Sequence, residues 1–567
     1  MRKIFSCSLR AALAALAVLP AGLTHAQVVT VPTTPQIGSS NPITADPPVR
    51  RPNTTPCIVP LFANLAFADF TPKTFSYTPP SACPGPWAKV VFTADFTVQS
   101  GRQFDRTASF YLGHANIYYG TTAEPRSTLS PSWHVERDLT DLTAIFKSPQ
   151  TGEANLGNFV GVSGGTDFNS IIFANAALEF FPASFPDPAP RTADIVVPVN
   201  GSGGDAGTLN TGTDKITQTL NLPANVEEVF LDVISQSQIG DEFWYFCVPN
   251  NETTNLQSCG NTAFRETEVT IDGTPAGVAP VYPWIFTGGI DPFLWEPIPG
   301  VQTLDFRPYR VDLTPFAGLL SDGSQHTVAI SVFNANGFFL ATANLLVFTD
   351  HQSLHNSGGI ILNTLAAPSP TVNENISFNP TTNAFTGSIL TTSNRSFTIR
   401  GFLDTSHGRV ETVVNQTVNF SNNQQFDVTP SVDGQNAEQT STVDSETKTT
   451  DRGVVTTREE HFTYPLTIDF RFVANPDGSL SQTTSVDQQF LLDKTDHLNS
   501  FPLFTSTEKN HVQSQDTLAI DASGNRTIKP SSTQSFLFQN SKGDCFSRTL
   551  TSSNSVLTGV TNGQGCN

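Results

Sequence analysis

An aspartate and an arginine stand side by side, at Asp105-Arg106, in a run whose residues alternate like those of a β-strand. In such a strand Asp105 lies on a polar face with Thr107 and Ser109, whereas Arg106 points to the apolar face and needs a partner there. A carboxylate held on a hydroxyl-lined face is suited to activating water for hydrolysis. The same pattern would also suit a structural ion pair.

Hydrolysis of this kind needs a second carboxyl group as proton donor, and three glutamates are candidates. If its segment is extended, Glu242 shares a face with Trp244, and burial beside aromatic rings raises a carboxyl pKa toward that of a working acid. Glu266 shares a predicted strand face with Glu268, whose like charge would raise one of the two pKa values. Glu124 precedes a proline that fixes the backbone and aims the side chain. The alternatives are a solvent-facing strand acid or a residue of a plain turn.

The Asp-Arg run resembles that of the peptide-N-glycosidases, and the likeness to the A-type family of plants, fungi and bacteria continues through further motifs in the family's order. These motifs are Asp241-Glu-Phe-Trp-Tyr245, Ala263-Phe-Arg-Glu266, Ile271-Asp-Gly273, Thr287-Gly-Gly-Ile-Asp-Pro292, Leu294-Trp295, Pro297-Ile298, Asp312-Leu-Thr-Pro-Phe316 and Asp322-Gly323. The resemblance covers roughly residues 85–350, with weaker likeness to about residue 495.

The resemblance implies a hydrolase that cleaves the amide between asparagine and the proximal N-acetylglucosamine of N-glycoproteins. The products would be an aspartate-containing peptide and a glycosylamine that then loses ammonia. Family members tolerate core α1,3-fucose, so the same breadth is implied here, and the scheme requires no metal or cofactor. A glycan-binding or adhesion module without activity, and an endo-acting glycoside hydrolase with two carboxylates, are the alternative functions.

The resemblance also suggests roles for the carboxylates. Asp105 matches the primary catalytic aspartate in the aromatic-Asp-Arg run of the flavobacterial F-type enzyme, so it is expected to be the general base or nucleophile. The F-type enzyme carries its second glutamate just before a Phe-Arg pair, where this chain has Asn261. Either Glu242 or Glu266 would then take that catalytic role.

The expected substrate contacts lie around these acids. Trp295 follows a glycine turn that lets a loop approach a ligand closely, and its position matches a substrate-contacting tryptophan loop of the F-type enzyme. Sugar stacking and core packing are both open for this side chain, while Arg106 is expected mainly to anchor its strand. The full set of expected substrate-binding residues is Arg106, Glu124, Trp244, Asn261, Arg265, Asp291 and Trp295.

The N-terminus is typical of a secretory signal peptide. Arg2 and Lys3 precede an apolar stretch, and small residues stand before an expected cut after Ala26. No later stretch is long enough to span a bilayer. Six cysteines remain after the cut, an even number that favours disulfides in an exported chain. Pairing neighbours along the chain gives Cys57–Cys83, Cys247–Cys259 and Cys545–Cys566, one of 15 possible connectivities.

The formal net charge of −20 argues against nucleic acid or anionic membranes as partners. A strongly acidic exported protein would suit an acidic medium, where partial protonation relieves self-repulsion. We expect a secreted monomer, and the resemblance implies that its partners are N-glycoprotein or N-glycopeptide substrates. The sequence has no Cys-x-x-Cys, His-Glu-x-x-His, Walker or dinucleotide motif, so no metal or cofactor is expected.

Short apolar or alternating runs, separated by Gly, Pro, Asn and Asp, predict an all-β protein. The Pro- and Thr-rich residues 27–56 are expected to form an extended linker. Residues 57–188 and 189–358 should form two antiparallel sandwich domains, and residues 359–567 a third β-rich domain. The resemblance implies that the first two are packed eight-stranded jelly rolls with the active site at their interface. Residues 435–451 are polar enough to be disordered.

Overall fold

The computed structural model describes residues 31–125 and 128–566. The signal peptide predicted for residues 1–26 lies outside the described residues. Within them the protein is all-β, as predicted, and its helices are one short α-helix and several 3-10 turns. The strands form three groups, which follow one another along the chain over residues 57–182, 195–349 and 357–562.

The first group is a sandwich. Its strands are β1 (Cys57–Phe67), β2 (Lys73–Tyr77), β3 (Trp87–Val98), β4 (Thr107–Leu112), β5 (Ala115–Thr121), β6 (Ser132–Asp138), β7 (Gln150–Leu156), β8 (Gly161–Ser163), β9 (Thr166–Phe168) and β10 (Ile172–Pro182). Two four-stranded antiparallel sheets have the orders β1-β10-β3-β6 and β2-β7-β4-β5, with β8-β9 as a separate hairpin. Aromatic rings fill the space between them: Phe96 of β3 stacks on Phe110 of β4 with ring centroids 6.0 Å apart.

The second group is also a sandwich. Its elements are β11 (Ile195–Val199), β12 (Gly207–Thr211), β13 (Ile216–Leu220), β14 (Val226–Ser237), β15 (Glu266–Ile271), β16 (Thr274–Pro280), β17 (Tyr309–Asp312), α1 (Ala317–Leu320), β18 (His326–Phe333) and β19 (Asn336–Thr349). One sheet has the order β11-β19-β14-β17 with β12 also on β19, and the other has the order β13-β18-β15-β16. This sandwich has nine strands instead of eight, because β11 and β12 pair with successive stretches of the long β19.

The two sandwiches meet along β5, β14 and β19. Asn116 N donates to Asn344 Oδ1 at 3.0 Å, and Asn344 Nδ2 donates to Asn116 O at 2.9 Å. Nearby, the Tyr119 hydroxyl donates to Gln236 Oε1 at 2.9 Å. These buried polar pairs fix the relative position of the two sandwiches, and so they also fix the loops at the ends of β4, β5 and β14.

The third group is one twelve-stranded antiparallel sheet. Its strands are β20 (Ser357–Asn363), β21 (Thr371–Asn379), β22 (Ala384–Thr405), β23 (Gly408–Thr429), β24 (Val432–Asp451), β25 (Val454–Ala474), β26 (Leu480–Leu498), β27 (Phe501–Ile520), β28 (Arg526–Thr527), β29 (Ser531–Asn540), β30 (Cys545–Ser553) and β31 (Val556–Asn562). The expected disorder of residues 435–451 is wrong, because these residues lie in β24, which pairs with β23 and β25 along its whole length.

Buried amide side chains explain how so polar a sequence forms an ordered sheet. One face of the third sheet packs on the second sandwich, as in the contact of Tyr282 with Tyr464, whose ring centroids are 5.0 Å apart. On the same face Asn422 Nδ2 donates to Tyr245 O at 2.9 Å, and Gln488 Nε2 donates to Pro283 O at 2.7 Å. The amides thus satisfy loop carbonyls that would otherwise be buried without partners.

Residues 31–51, which we call the strap, were expected to belong to an extended linker. They have no regular secondary structure, but they are fixed to the rest of the protein. Gly38 N donates to Leu557 O at 2.8 Å, and Ala45 N donates to Gln534 Oε1 at 2.7 Å. At the other end, Arg51 pairs with Glu136 and Glu179 of the first sandwich. The strap therefore joins the third sheet to the first sandwich.

The structure contains the three disulfides expected from neighbour pairing: Cys57–Cys83, Cys247–Cys259 and Cys545–Cys566. The first closes a loop of the first sandwich, the second lies in the long connection between β14 and β15, and the third joins β30 to the C-terminal residues. Among the residues described, no helix has the length and apolar character needed to cross a membrane.

Candidate active site

Asp105 lies just before β4 and not within it, because the strand begins at Thr107. The backbone leaves the sheet here: Arg106 N donates to the Thr122 hydroxyl at 2.9 Å, and Thr122 N donates to Arg106 O at 2.8 Å. These two hydrogen bonds join the start of β4 to the end of β5. Asp105 is thus held at the end of the sheet, where it reaches the second sandwich.

The backbone of Gly288 meets the Asp105 carboxylate. Gly288 N donates to Asp105 Oδ2 at 3.1 Å, and the neighbouring Thr287 hydroxyl donates to Thr122 O at 2.7 Å. A Cβ added to Gly288 would stand 2.6 Å from Glu124 Oε1 and 2.9 Å from Asp105 Oδ1. Asp105 and Glu124 therefore face the same point, and only a residue without a side chain fits against both.

The pKa of Glu124 is raised to about 7, first by burial and then by the charge of Asp105. Glu296 adds to the rise in the pKa of Glu124, and Arg106 opposes it. Burial also raises the pKa of Asp105, while the Gly288 N–H and the Arg106 guanidinium oppose that rise. Two carboxyl groups that share one site and differ in their hydrogen bonds can hold different protonation states near neutral pH.

Glu242 joins the same cluster from the second sandwich. The segment is not extended as expected: 3-10 turns at Ile239–Asp241 and Trp244–Phe246 flank this residue. Burial raises the pKa of Glu242 to about 7, and the charge of Asp105 adds to the effect. The strand face that Glu242 was expected to share with Trp244 therefore does not form. Trp244 is buried against Phe420 of the third sheet, with ring centroids 6.3 Å apart.

The cluster formed by Asp105, Glu124 and Glu242 can carry out general acid–base chemistry. Each of the two glutamates is influenced by the charge of Asp105. An ionised Asp105 favours a proton on either glutamate, so the cluster offers a base and an acid together. Arg106 is the cation that acts on Asp105 and Glu124, and its guanidinium lies 5.7 Å from the centroid of the Phe104 ring.

A cavity of about 330 Å³ opens beside Glu124. Its walls include Thr287, Trp295 and Glu296 from the loop that follows β16. Sequence reasoning missed Glu296, although this acid stands between the two quoted motifs Leu294-Trp295 and Pro297-Ile298. Its position next to Trp295 was the signal that could have found it.

Trp295 and Asp291 hold this loop in place. Trp295 is 2% exposed, and its Nε1 donates to Gly289 O at 2.9 Å. Its ring therefore packs within the loop and presents little surface on which a sugar could stack. Asp291 accepts from Phe293 N at 3.0 Å and from Gln482 Nε2 at 3.1 Å. Burial raises the pKa of Asp291 to about 6. Both side chains contact protein groups that shape the loop carrying Gly288.

Arg265 and Asn261 belong to a buried network behind Glu242. Arg265 Nε and Nη2 donate to Asp241 Oδ1 at 3.0 and 2.7 Å, and both side chains of this ion pair are fully buried. Arg265 also donates to the carbonyl of Asn261 at 3.3 Å, while Asn261 N donates to Asn250 Oδ1 at 2.9 Å. The pair fixes the turn that carries Glu242 and leaves no open face for a substrate at Arg265.

Replacing Arg265 with leucine should lower the free energy of unfolding by about 3–5 kcal/mol, because Asp241 would remain buried without its cation. Urea denaturation followed by tryptophan fluorescence measures the loss. Arg310→Leu, at a half-exposed ion pair with Asp232 and Asp141, is the matched control and should cost less. Equal losses for the two variants would contradict a dominant role for the buried pair.

Glu266 lies apart from the cluster. It begins β15 and pairs with Arg395 of the third sheet. Burial raises the pKa of Glu266 to about 7, Arg395 opposes the rise, and Glu268 adds to it as expected from their shared strand face. The charge of Asp105 contributes to the raised pKa values of Glu242 and Glu124, but it is not among the causes of the raised pKa of Glu266. Asp105 and Glu124 thus converge at Gly288, and Glu242 lies within the electrostatic influence of Asp105.

The raised pKa values predict a pH-dependent stability. Glu124 and Glu242 have a pKa of about 7 in the folded protein instead of 4.5, so folding takes up protons between these values. The unfolding free energy should therefore fall as pH rises from 4.5 to 7. Thermal unfolding across this range should show a shallower fall for Glu124→Gln than for the parent protein. An identical slope for the two would contradict the shift at Glu124.

Comparison with known proteins gives a matching family model and a sequence relative. The family model of peptide N-acetyl-beta-D-glucosaminyl asparaginase amidase A matches residues 47–365. A peptide-N4-(N-acetyl-beta-glucosaminyl)asparagine amidase A from Prunus dulcis is 28% identical over 548 residues, which cover 92% of this chain and 92% of that protein.

Two solved structures align with about half of the chain. PNGase F, a glycosylasparaginase from Flavobacterium meningosepticum, aligns with 52% of this chain and 96% of its own, at 13% identity and a TM-score of 0.34. The structure of PNGF-II aligns with 52% of this chain and 66% of its own, at 13% identity and a TM-score of 0.35.

Proposed function

Because the chain belongs to the peptide N-acetyl-beta-D-glucosaminyl asparaginase amidase A family, we propose that the cluster of Asp105, Glu124 and Glu242 is its catalytic centre. The protein is an N-glycan-releasing amidase, a hydrolase of carbon–nitrogen bonds. Its substrates are N-glycoproteins or N-glycopeptides. The observation that carries the proposal is the convergence of the Asp105 and Glu124 carboxylates on the backbone of Gly288.

Asp105 is the general base. Its ionised carboxylate takes a proton from water, whose oxygen attacks the carbonyl carbon of the asparagine side chain. The Gly288 N–H holds Asp105 Oδ2, so the other oxygen remains directed at the water. Arg106 contributes positive charge beside the carboxylate as the tetrahedral intermediate becomes negative.

The protonated carboxyl of Glu242 or Glu124 is the general acid. A pKa of about 7 for each keeps a proton available at mildly acidic and neutral pH. That proton passes to the nitrogen of the leaving glycosylamine as the carbon–nitrogen bond breaks. The peptide is left with aspartate, and the glycosylamine then loses ammonia to give the free glycan.

Mass spectrometry of a defined N-glycopeptide tests this reaction. Incubation at mildly acidic pH should release the complete glycan and convert the asparagine to aspartate, so the peptide product carries a hydroxyl where the unglycosylated asparagine peptide carries an amide NH2. A peptide that keeps one N-acetylglucosamine would instead indicate cleavage between sugars, and an unchanged glycopeptide would contradict the proposed activity.

The finer properties are also proposals. The N-terminal signal pattern, the three disulfides and the acidic net charge of −20 support export and activity in an acidic medium. Tolerance of core α1,3-fucose rests on the family resemblance. Parallel digestion of glycopeptides with and without this fucose checks it, and release from the unfucosylated peptide alone would contradict it.

A further inference from the structure

The strap forms one wall of the cavity beside Glu124. Residues 38–42 line this cavity together with Glu124, Trp295 and Glu296. These strap residues precede the segment matched by the family model, which begins at residue 47. The candidate site is therefore completed by a part of the chain outside the matched segment.

The strap is held at this wall from two sides. Gly38 and Ser39 exchange backbone hydrogen bonds with Leu557 of the third sheet at 2.8 and 2.9 Å, and Ile43 N donates to Pro297 O at 2.9 Å. Behind the wall, Ala45 is fully buried in a cluster that includes Ile298 and residues of the third sheet. The third sheet thus sets the position of the strap relative to the loop that carries Glu296.

The strap presents polar groups to the cavity. Asn41 Oδ1 accepts from Ser132 N at 3.1 Å, which leaves its Nδ2 as a donor, and Ser39 Oγ accepts from Asn41 N at 3.0 Å. The Ser40 hydroxyl makes no hydrogen bond with any residue that the structure describes. Among the residues that the structure describes, the lining combines hydroxyls, one amide and the carboxyl groups of Glu124 and Glu296.

The groups that line the cavity indicate which class of ligand would bind there. Hydroxyl, amide and carboxyl groups together match the many hydrogen-bond donors and acceptors of a neutral sugar. The volume of about 330 Å³ lies within the range of small-ligand pockets. We propose that the strap, through Ser40 and Asn41, forms a subsite for a sugar ring on the glycan side of the scissile amide. This assignment rests on the proposed function of the adjoining carboxylate cluster.

Filling the subsite tests this assignment. Ser40→Trp should raise KM for an N-glycopeptide by about tenfold or more and leave kcat close to the parent value, because it blocks binding without touching the carboxylates. Gln36→Trp is the matched control, since Gln36 is exposed on the same strap and lies outside this cavity. This control should keep the parent KM, and Ser40→Ala should give a smaller rise than Ser40→Trp.

Two series of substrates identify what the strap contacts. One series varies the peptide around the same glycan, and the other trims the glycan stepwise on the same peptide. For Ser40→Trp, a KM penalty that is constant across the peptide series and shrinks as the glycan is trimmed supports the sugar subsite. A penalty that follows peptide length, or one shared by Gln36→Trp, would overturn it.

Failure of the proposed amidase function can be distinguished from failure of the sugar-subsite assignment. If the parent protein cleaves no glycopeptide, the amidase assignment fails, and calorimetric titration with free N-glycan still tests the subsite. Binding by the parent protein and by Gln36→Trp, with loss in Ser40→Trp, would support the strap as a sugar-contacting wall. Equal binding or no binding in all three would overturn it.

Discussion

Replacing Asp105 with asparagine should lower kcat for glycan release by roughly 10²–10⁴-fold, the usual contribution of a general base. Asparagine keeps the shape of the side chain, and its oxygen can still accept from Gly288 N, which donates to Asp105 Oδ2 at 3.1 Å. Burial disfavours the charge of Asp105, so the unfolding midpoint should stay the same or rise. Glycan release followed by mass spectrometry, with thermal unfolding alongside, measures both effects.

Glu266→Gln is the matched control for Asp105→Asn. Glu266 is a buried carboxyl with a raised pKa, but its partner is Arg395. This variant should lose stability, because the partly buried Arg395 loses its counter-charge, and should keep kcat within a small factor of the parent value. The assignment of the cluster would be contradicted if Glu266→Gln lost activity while folded and Asp105→Asn retained it.

Local pattern and resemblance proposed Asp105 as the catalytic carboxylate, but they did not predict which groups lie around it. The strand prediction put Asp105 inside β4, whereas the strand begins at Thr107 and Arg106 N donates to the side chain of Thr122. Asp241, next to Glu242, is paired with Arg265, 24 residues further along the chain. A contact between such distant residues leaves no trace in the alternation of apolar residues, which is the signal that predicts a strand.

The third sheet shows the same limit on a larger scale. Alternation predicted its strands, but the polarity of residues 435–451 favoured disorder, because side-chain amides that bond to carbonyls of another domain cannot be recognised locally. Within this segment Gln435 donates to Leu256 O. Elsewhere in the sheet, Asn422 and Gln488 each donate to a carbonyl in a loop of the second sandwich. The strap was likewise expected to be a linker from its proline and threonine content, and its contact with Leu557 joins opposite ends of the chain.

Gly288→Ala should lower kcat/KM for glycan release by about 10²-fold, a loss typical of a misplaced catalytic group. The added Cβ would stand 2.6 Å from Glu124 Oε1 and 2.9 Å from Asp105 Oδ1. Both atoms are the ends of side chains, so the carboxylates can move aside and the protein should still fold. Steady-state kinetics over a range of pH should show the loss together with a change in the pH profile, because the coupling of the two carboxyls changes.

The neighbouring Gly289→Ala provides a control in the same loop. There the added Cβ would meet Ile285 Cγ2 and Phe286 O, each at 3.2 Å, and no carboxylate. This variant should cost some stability but keep the pH profile of the parent protein. If both alanine variants lost activity equally and with the same profile, loop distortion would explain the effect. A loss of activity confined to Gly288→Ala would instead show that catalysis depends on the point where Asp105 and Glu124 converge. Glycine at position 288 leaves that point free of a side chain.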